Sequence, residues 1–487
     1  MVDSKTIVQS TKWSAVSEVL AKIASPLANV VLARLLAPEV FGLVASFTVV
    51  TTFAEVFTDA GFQKYIIQHG FQDEEELNRS TDVAFWTNLL LSLFLCAVIF
   101  IFRHALASLV GSPGLGNSIS IASVLILIAA FSSIQMARYK RDFDFKTLFF
   151  VRISTACIPL VVTIPLAFLL KNYWALLIGT FVSQLFSAVV LTVKSKWKPR
   201  FYYDVALFKE MFSFSAWTLL ESVSIWLTSY IGVFIVGRVL DDYYLGLYKT
   251  SMATINSYMA IITAAIMPVL FSALSRYQND EANFKATFYR FQRLTAMFVI
   301  PMGVGIFLYS DLATRILLGE QWMEASGFIG LWGLTSAFVI VFSNIASEVY
   351  RGKGNPKISL FMQLFHLSLL IPTLLLSVSH GFVPLYISRS LIRLEGIPRS
   401  LIVLALGFGI KISHVLKNIL PSLLSALVMG AVGYGLLQIS SAMVWQLASV
   451  VICVIVYFAF LLVCFPKIRR EVLSVSYVRG LVDKIKK

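Results

Sequence analysis

Long apolar stretches, separated by short polar segments, follow one another along almost the whole chain. An α-helix needs about 20 consecutive apolar residues to cross the hydrocarbon core of a bilayer. The pattern therefore predicts an all-α, polytopic membrane protein with about 14 transmembrane helices. We place these helices at 13–36, 40–63, 82–102, 116–137, 147–170, 173–193, 209–237, 244–272, 288–310, 325–349, 358–377, 382–406, 418–437 and 443–465.

The pattern also contains an internal repeat. The segment VLARLLAPEVFGL at 31–43 matches IVGRVLDDYYLGL at 235–247, and a tryptophan precedes each arginine by the same interval. The matching pairs are Arg34 and Arg238, Leu36 and Leu240, Gly42 and Gly246, Leu43 and Leu247, and Trp13 and Trp217. Because an even number of predicted helices separates the two segments, both copies have the same orientation in the membrane. The repeat therefore predicts two parallel six-helix lobes with a substrate site between them.

The repeat also predicts how the chain divides into domains. We expect an N-lobe at 1–198 and a C-lobe at 199–410. The last segment, 411–487, holds the two remaining predicted helices and a basic tail.

Composition and charge agree with a membrane protein, since 58% of the residues are hydrophobic and 14% are charged. A soluble domain is about a quarter charged. The net charge of +14 could indicate a nucleic-acid partner, but most of the 40 Lys and Arg residues fall on the side that holds both termini. Cytoplasmic loops are enriched in Lys and Arg. Both termini are therefore predicted to be cytoplasmic, and no nucleic acid is expected. The opposite loops hold Arg34, Arg103, Lys171, Arg238 and Arg315.

Signals for an enzyme, a metal or a processed terminus are weak. The four cysteines, Cys96, Cys157, Cys453 and Cys464, lie in apolar stretches without a CxxC motif, so we expect neither a disulfide framework nor a metal site. No HExxH, GxSxG or Walker motif occurs, and the five histidines are scattered. We therefore expect neither an enzyme nor a protein-bound cofactor. The polar N-terminus does not resemble a cleaved signal peptide, so the first helix is expected to remain.

Basic residues within the predicted helices are the main candidates for a binding site. A charged side chain at the bilayer centre costs about 2.5–3.5 kcal/mol on insertion scales, so such residues usually face a bundle interior or a wet cavity. The candidates for binding an anionic substrate are Lys22, Arg152, Lys249, Arg389 and Arg393, followed by Arg290 and Arg293 near the cytoplasmic end of the ninth helix. Like charges such as Arg389 and Arg393 repel each other, and they are tolerated best when an anion or a carboxylate lies between them.

Other interpretations of some charged residues stay open. Glu18 and Lys22 have the spacing of an i,i+4 ion pair. Arg290 and Arg293 have an alternative role as anchors at the cytoplasmic interface. Intramembrane carboxylates are candidates for binding a coupling ion, either H⁺ or Na⁺. These carboxylates are Glu18, Glu221, Glu348, Glu55 and Asp59.

The opening segment KWSAVSEVLAKIASPLANVVLARLLAPEVFGLVASFTVVTTFAEVFTDAGF resembles that of Wzx-type polysaccharide exporters, a branch of the multidrug/oligosaccharidyl-lipid/polysaccharide (MOP) flippase superfamily. LGLYKTSMATINSYMAIITAAIMPVLFSALSRYQND and LLGEQWMEA fit the same branch, nearest to colanic and teichuronic acid exporters. The resemblance implies a cationic cavity between two lobes, with the last two helices outside. It implies that basic residues of the first helix bind the pyrophosphate, as in related lipid flippases, and Lys22 lies in that region. The second helix of those flippases is basic, whereas this chain has Glu55 there.

The resemblance also implies a function. It indicates transfer of oligosaccharide repeat units on undecaprenyl pyrophosphate from the cytoplasmic to the outer leaflet of the bacterial cytoplasmic membrane. Membrane lipids and the polymerase and glycosyltransferases of the same pathway are the implied partners. Two alternatives stay open. A multidrug or cation antiporter of the same superfamily would favour an anionic or apolar pocket, and a membrane polysaccharide ligase would carry a large loop with catalytic groups.

Overall fold

A computed structural model describes residue 24 and residues 26–59, 62–353, 356–466 and 468–470. The first half contains α1 (Pro26–Leu35), α2 (Pro38–Asp59), α3 (Phe62–Gln68), α4 (Glu74–Ile101), α5 (Arg103–Leu109), α6 (Gly116–Arg141), α7 (Phe145–Ile158), α8 (Ile164–Leu170) and α9 (Tyr173–Lys194). The second half contains α10 (Val205–Val239), α11 (Asp242–Arg276), α12 (Glu281–Leu308), α13 (Ser310–Leu317), α14 (Ser326–Val339), α15 (Ile345–Gly352), α16 (Pro356–Val378), α17 (Phe382–Ile392), α18 (Gly396–Phe408), α19 (Ile412–Leu437) and α20 (Met443–Cys464). The described part of the chain has no β-strand.

Twelve helices of the described residues are long and apolar enough to cross a membrane. They correspond to the second to eleventh predicted helices and to the thirteenth and fourteenth. Of the first predicted helix, only its end, α1, is described as a helix. The prediction of an all-α, multi-pass membrane protein is therefore confirmed.

The twelfth predicted helix, 382–406, differs from the expectation because it is not continuous. A 3₁₀ turn at Arg393–Glu395 separates α17 from α18. Pro398 lies in the first turn of α18 and has no backbone N–H to donate to the carbonyl of Leu394. The regular α-helical ladder is therefore interrupted at the turn that contains Arg393.

The described residues form two compact units. The first comprises the chain up to Ala264, with Leu317–Trp322 and Leu360–Arg389. The second comprises Ala265–Ile316, Met323–Ser359 and the chain from Ser390 onward. The units are defined by contacts and not by the sequence repeat, so the predicted domains at 1–198, 199–410 and 411–487 stay a prediction.

Within the first unit, the two repeated segments contact each other reciprocally. A Cβ atom on Gly42 would overlap the carbonyl oxygen of Asp242, and a Cβ atom on Gly246 would overlap that of Pro38. Gly42 and Gly246 are matching positions of the repeat, and so are Pro38 and Asp242. Glycine is therefore required at both positions because the beginnings of α2 and α11 approach closely.

The loop after the third helix of each repeat packs on the first helix of the other copy. The indole Nε1 of Trp322 donates to the carbonyl of Ala33 at 2.8 Å. Gly111, which has a φ of 87°, lies so close to the carbonyl of Gly237 that a Cβ atom would overlap it. Ala33 and Gly237 are matching positions. Each loop thus contacts the matching position on the first helix of the other copy. The loop of the second copy does so through the Trp322 side chain, and the loop of the first copy through the Gly111 backbone.

In the second unit, α19 and α20 pack with α12. Pro301 lies inside α12 and cannot donate to the carbonyl of Met297. The buried hydroxyl of Tyr457 in α20 donates to that carbonyl at 2.8 Å. A residue of the last helix thus satisfies the backbone group that the proline leaves without an intrahelical partner.

Candidate functional site

A basic residue of α11 is held over an aromatic ring in the first unit. The Nζ atom of Lys249 lies 3.9 Å from the ring centroid of Tyr230 in α10. A cation at this distance is attracted by the negative face of the ring. Close by in the sequence, Gly232 of α10 lies against the hydroxyl of Tyr248, where a larger residue would overlap.

Arg389 of α17 lies beside the same group of residues. Its side chain is buried, with the residue 4% exposed. Its Nε donates to the hydroxyl of Tyr248 at 3.1 Å, and its Nη2 donates to the carbonyl of Thr228 at 3.4 Å. Arg389 thus contacts the residue before Lys249 and a residue two positions before Tyr230, and we call Lys249 and Arg389 the cationic pair. The first unit therefore brings together two cations from helices distant in the sequence.

Arg393 has different surroundings, in the second unit. Its guanidinium carbon lies 3.7 Å from the ring centroid of Trp332 in α14, and its Nη1 donates to the hydroxyl of Ser336 at 2.8 Å. Farther along, Arg399 pairs with Glu395 at 3.1 Å. Arg389 and Arg393, predicted as neighbours on one helix, thus contact different groups on the two sides of the break.

The other basic candidates are spread over several helices. Arg152 is exposed on α7, and Arg290 is exposed on α12. Arg293 donates to the side chain of Asn418 in α19 at 2.8 Å, and Asn418 in turn donates to Gln292 at 3.0 Å. Lys22 lies outside the described residues. Lys249 and Arg389 are the described candidates with contacts on the same two helices, α10 and α11.

The carboxylates predicted to bind a coupling ion are also dispersed. Glu55 of α2 hydrogen-bonds with Gln184 of α9, and Glu348 of α15 lies 3.4 Å from Arg351. Glu221 is partly exposed on α10, and Asp59 is the last residue of α2. Glu18 lies outside the described residues. No group of three or more metal-binding side chains occurs among the residues that the structure describes.

An acidic cavity of about 420 Å³ lies at the beginnings of α4 and α10 in the first unit. Its carboxylates are Asp73, Glu75, Glu76, Asp204 and Glu210, and Arg79 also lines it. The hydroxyl of Tyr65 donates to Glu210 at 2.8 Å. Burial, together with this hydrogen bond, raises the pKa of Tyr65 well above its usual range. The cavity contains none of the predicted site residues.

The aromatic partners of the cations were not identified from the sequence. Tyr248 is adjacent to Lys249 in the sequence, and Tyr230 lies in α10, on the helix before it. Their proximity to an intramembrane lysine was the sequence feature that could have identified these two tyrosines. Trp332 lies 61 positions before Arg393, and no local pattern connects them.

A family model described as "Polysaccharide biosynthesis protein" matches residues 31–327, which is more than half of the chain. The chain belongs to this family. The sequence resemblance to Wzx-type polysaccharide exporters is therefore confirmed. The match includes the repeat segments and the Lys249 position, but it ends before Arg389.

Two relatives and one solved structure extend the comparison. The succinoglycan biosynthesis transport protein ExoT of Rhizobium meliloti (strain 1021) is 25% identical over 69% of this chain and 68% of that protein. The lipopolysaccharide biosynthesis protein WzxC of Escherichia coli (strain K12) is 21% identical over 76% of this chain and 75% of that protein. The structure of the lipid II flippase MurJ in an inward closed conformation has a TM-score of 0.74 and 17% identity. The structural match covers 94% of the present chain and 99% of the MurJ chain. The family member thus shares its fold with this flippase.

Proposed function

We propose that the chain is a flippase that moves an oligosaccharide linked to undecaprenyl pyrophosphate from the cytoplasmic to the periplasmic leaflet of the bacterial cytoplasmic membrane. The observation that carries the proposal is the cationic pair of Lys249 and Arg389 within the first unit. The names of the relatives, which concern succinoglycan transport and lipopolysaccharide biosynthesis, support this class of substrate.

The physical argument concerns the charged part of the substrate. A pyrophosphate cannot cross hydrocarbon without compensation for its charge. Lys and Arg offer charge-assisted hydrogen bonds to phosphate oxygens, and these bonds are about twice as strong as neutral ones. Two cations that repel each other also gain stability when an anion binds between them. The pair is therefore suited to a pyrophosphate.

We further propose that transport follows alternating access and is coupled to an H⁺ or Na⁺ gradient. Intramembrane carboxylates commonly bind such ions in transporters. Glu55 and Glu348 are the described candidates that have a defined polar partner. Both termini are proposed to be cytoplasmic, next to the glycosyltransferases that build the substrate.

The proposed function is favoured over the two rival functions by the chemistry of the site. A multidrug or cation antiporter would favour an anionic or apolar pocket, whereas the pair in the first unit is cationic. The acidic cavity contains exposed residues such as Glu75 and Arg79 at helix ends. A polysaccharide ligase would carry catalytic groups on a large loop, whereas the longest described stretch between helices is 195–204.

Flipping in reconstituted vesicles tests the proposal. The purified protein should transfer a fluorescent undecaprenyl-pyrophosphate-linked oligosaccharide between leaflets, measured as loss of signal to a membrane-impermeant quencher. Lys249→Gln should slow this transfer at least about tenfold, because one charge-assisted contact is worth about 1.5–3 kcal/mol. Arg79→Gln is the matched control and should transfer at the normal rate. Transfer of a cationic dye without transfer of the oligosaccharide lipid would favour the antiporter instead. Imposed H⁺ and Na⁺ gradients test the coupling in the same vesicles.

A further inference from the structure

Four aromatic residues form a continuous row in the first unit, which we call the aromatic row: Phe57 and Phe53 of α2, and Trp226 and Tyr230 of α10. The ring centroids of Phe57 and Phe53 are 4.9 Å apart. Those of Phe53 and Trp226 are 4.5 Å apart, and those of Trp226 and Tyr230 are 5.4 Å apart. The row thus crosses from one helix to the other without a gap.

The row ends at the cationic pair. Tyr230 is the residue whose ring lies 3.9 Å from the Nζ atom of Lys249. The Phe53 and Phe57 rings are one helical turn apart on α2, and Trp226 and Tyr230 are one turn apart on α10. Each helix therefore presents its two rings on one face, and the Lys249 ammonium marks one end of the combined surface.

The centre of the row is fixed and its edge is accessible. Trp226 is only 6% exposed, and its indole Nε1 donates to the hydroxyl of Thr52 at 3.1 Å. Phe53 is 39% exposed, and Tyr230 is partly exposed. A buried indole with a satisfied N–H thus holds the more accessible rings in place.

Contact with lipid tails does not account for the Tyr230 end of this surface. An ammonium group that faced hydrocarbon would cost several kcal/mol on insertion scales, and Lys249 lies against this ring. The polar groups next to the row are the hydroxyl of Thr52 and the backbone carbonyl of Thr228, which belong to the same two helices. A mixed surface of rigid rings, a few polar groups and a nearby cation is typical of a polar ligand with apolar faces.

We propose that the aromatic row is the subsite for the sugar rings of the transported lipid. This inference rests on the proposed function and names the part of the site that recognises the glycan. A pyranose ring has C–H faces that pack against aromatic rings, while its hydroxyl groups point to the rim. The sugar next to the pyrophosphate lies at Tyr230, and the following sugars extend toward Phe53 and Phe57.

Recognition of this kind depends on ring faces and not on the identity of each sugar. Stacking on aromatic side chains is likewise tolerant of sequence when proteins bind single-stranded nucleic acids. The row therefore recognises the presence of a glycan, whereas Lys249 and Arg389 recognise the charge that every such lipid shares. The two parts of the site are separable by mutation.

Binding measurements with two lipids test the separation. The probes are undecaprenyl pyrophosphate without sugar and an undecaprenyl-pyrophosphate-linked oligosaccharide extracted from cells that lack this protein. Phe53→Leu should weaken binding of the glycosylated lipid about tenfold, which is the scale of one lost stacking contact. It should leave binding of the sugar-free lipid unchanged. Phe53→Trp should keep the affinity for both lipids, and Lys249→Gln should weaken both.

Two further variants serve as a control and as a substitute for the main test. Phe94→Leu, at an exposed phenylalanine of α4, is the matched control and should bind both lipids normally. Phe57→Leu repeats the test if Phe53→Leu does not fold. If the variants of the row weaken both lipids equally, or neither, the glycan subsite is refuted while the proposed function stands. If the unmodified protein binds neither lipid, the proposed function fails, and the subsite fails with it.

Discussion

Arg389 and Arg393 are one helical turn apart in the sequence, yet the fold gives them different surroundings. Arg389 is almost fully buried in the first unit, where it donates to the hydroxyl of Tyr248 and the carbonyl of Thr228. Arg393 is partly exposed in the second unit, where it lies over Trp332. The first arginine is held by two hydrogen bonds in a buried site, and the second by one hydrogen bond to Ser336 and by a ring face in a partly exposed site.

The difference teaches what a break in a helix does to two equal charges. A continuous helix would have kept the two guanidinium groups on neighbouring positions, where they repel. The 3₁₀ turn begins at Arg393, where the α-helix that contains Arg389 ends. Each charge then finds its own partners. We therefore expect Arg389 to require its exact geometry and Arg393 to require mainly its charge.

Replacing Arg389 by alanine should have the largest effect, a loss of flipping rate of about 100-fold. The substrate loses a charge-assisted contact worth about 1.5–3 kcal/mol, and the buried partners Tyr248 and Thr228 lose a donor. Arg389→Lys should be nearly as slow, since an ammonium cannot reproduce two divergent donations. Flipping rates in vesicles, divided by the amount of protein incorporated, provide the measurement.

A structural role alone would give a different result for Arg389. If Arg389→Ala lowers the melting temperature of the purified protein but flips at the normal rate per molecule, the residue supports the fold only. The cationic pair would then lose one member, and the proposed anion site would be wrong.

Replacing Arg393 by alanine should slow flipping about tenfold, which corresponds to about 1.4 kcal/mol. Its melting temperature should stay close to normal because the side chain is partly exposed. Arg393→Lys should recover most of the rate, since an ammonium is also attracted to the face of Trp332. Equal behaviour of the lysine variants at positions 389 and 393 would contradict the comparison. The assay is the same vesicle assay, with both variants at matched protein content.

Much of the fold could be predicted from the sequence, because crossing a bilayer requires apolar length. The predicted helix at 116–137 corresponds to α6, Gly116–Arg141. The extra turn contains Arg138, Lys140 and Arg141, which are good helix formers but do not contribute to an apolar pattern. Hydropathy thus finds the part of a helix within the hydrocarbon and not the helix end.

The break in the twelfth predicted helix could not be derived in the same way. Arg393 and Glu395 are compatible with a helix, and proline is tolerated in a first turn. Whether Pro398 begins a new helix or bends an old one depends on packing. A Cβ atom on Gly396 would lie 3.1 Å from the hydroxyl oxygen of Ser343, so this glycine packs closely against the π-helical segment Ile340–Asn344. That contact joins positions distant in the sequence.

The candidate site was predictable in its charges and not in its partners. The cost of an intramembrane charge identifies Lys249 and Arg389 from the sequence alone. Their common neighbour Tyr248 becomes evident only when α11 and α17 are placed together. The repeat did not help, because the matching position of Tyr248 in the first copy is Val44.

Removing only the hydroxyl that Arg389 contacts should have a smaller effect. Tyr248→Phe keeps the ring and deletes the acceptor, and a hydrogen bond between membrane helices averages about 0.6 kcal/mol. We expect flipping to slow about threefold. The matched control is Tyr434→Phe, at an exposed tyrosine of α19, which should flip normally. A loss as large as that of Arg389→Ala would mean that the hydroxyl itself contacts the substrate.

Ser336→Ala should have the smallest effect, less than about twofold on flipping. The hydroxyl of Ser336 accepts from Arg393 at 2.8 Å, but the guanidinium also lies 3.7 Å from the centroid of Trp332. The ring continues to hold the cation when the hydroxyl is removed, and a cation–π contact contributes about 0.5–2 kcal/mol. Trp332→Leu should therefore slow flipping several-fold more than Ser336→Ala in the same vesicles. If the serine variant is the slower of the two, Arg393 is held by a directed hydrogen bond, as Arg389 is, and the distinction between the two arginines disappears.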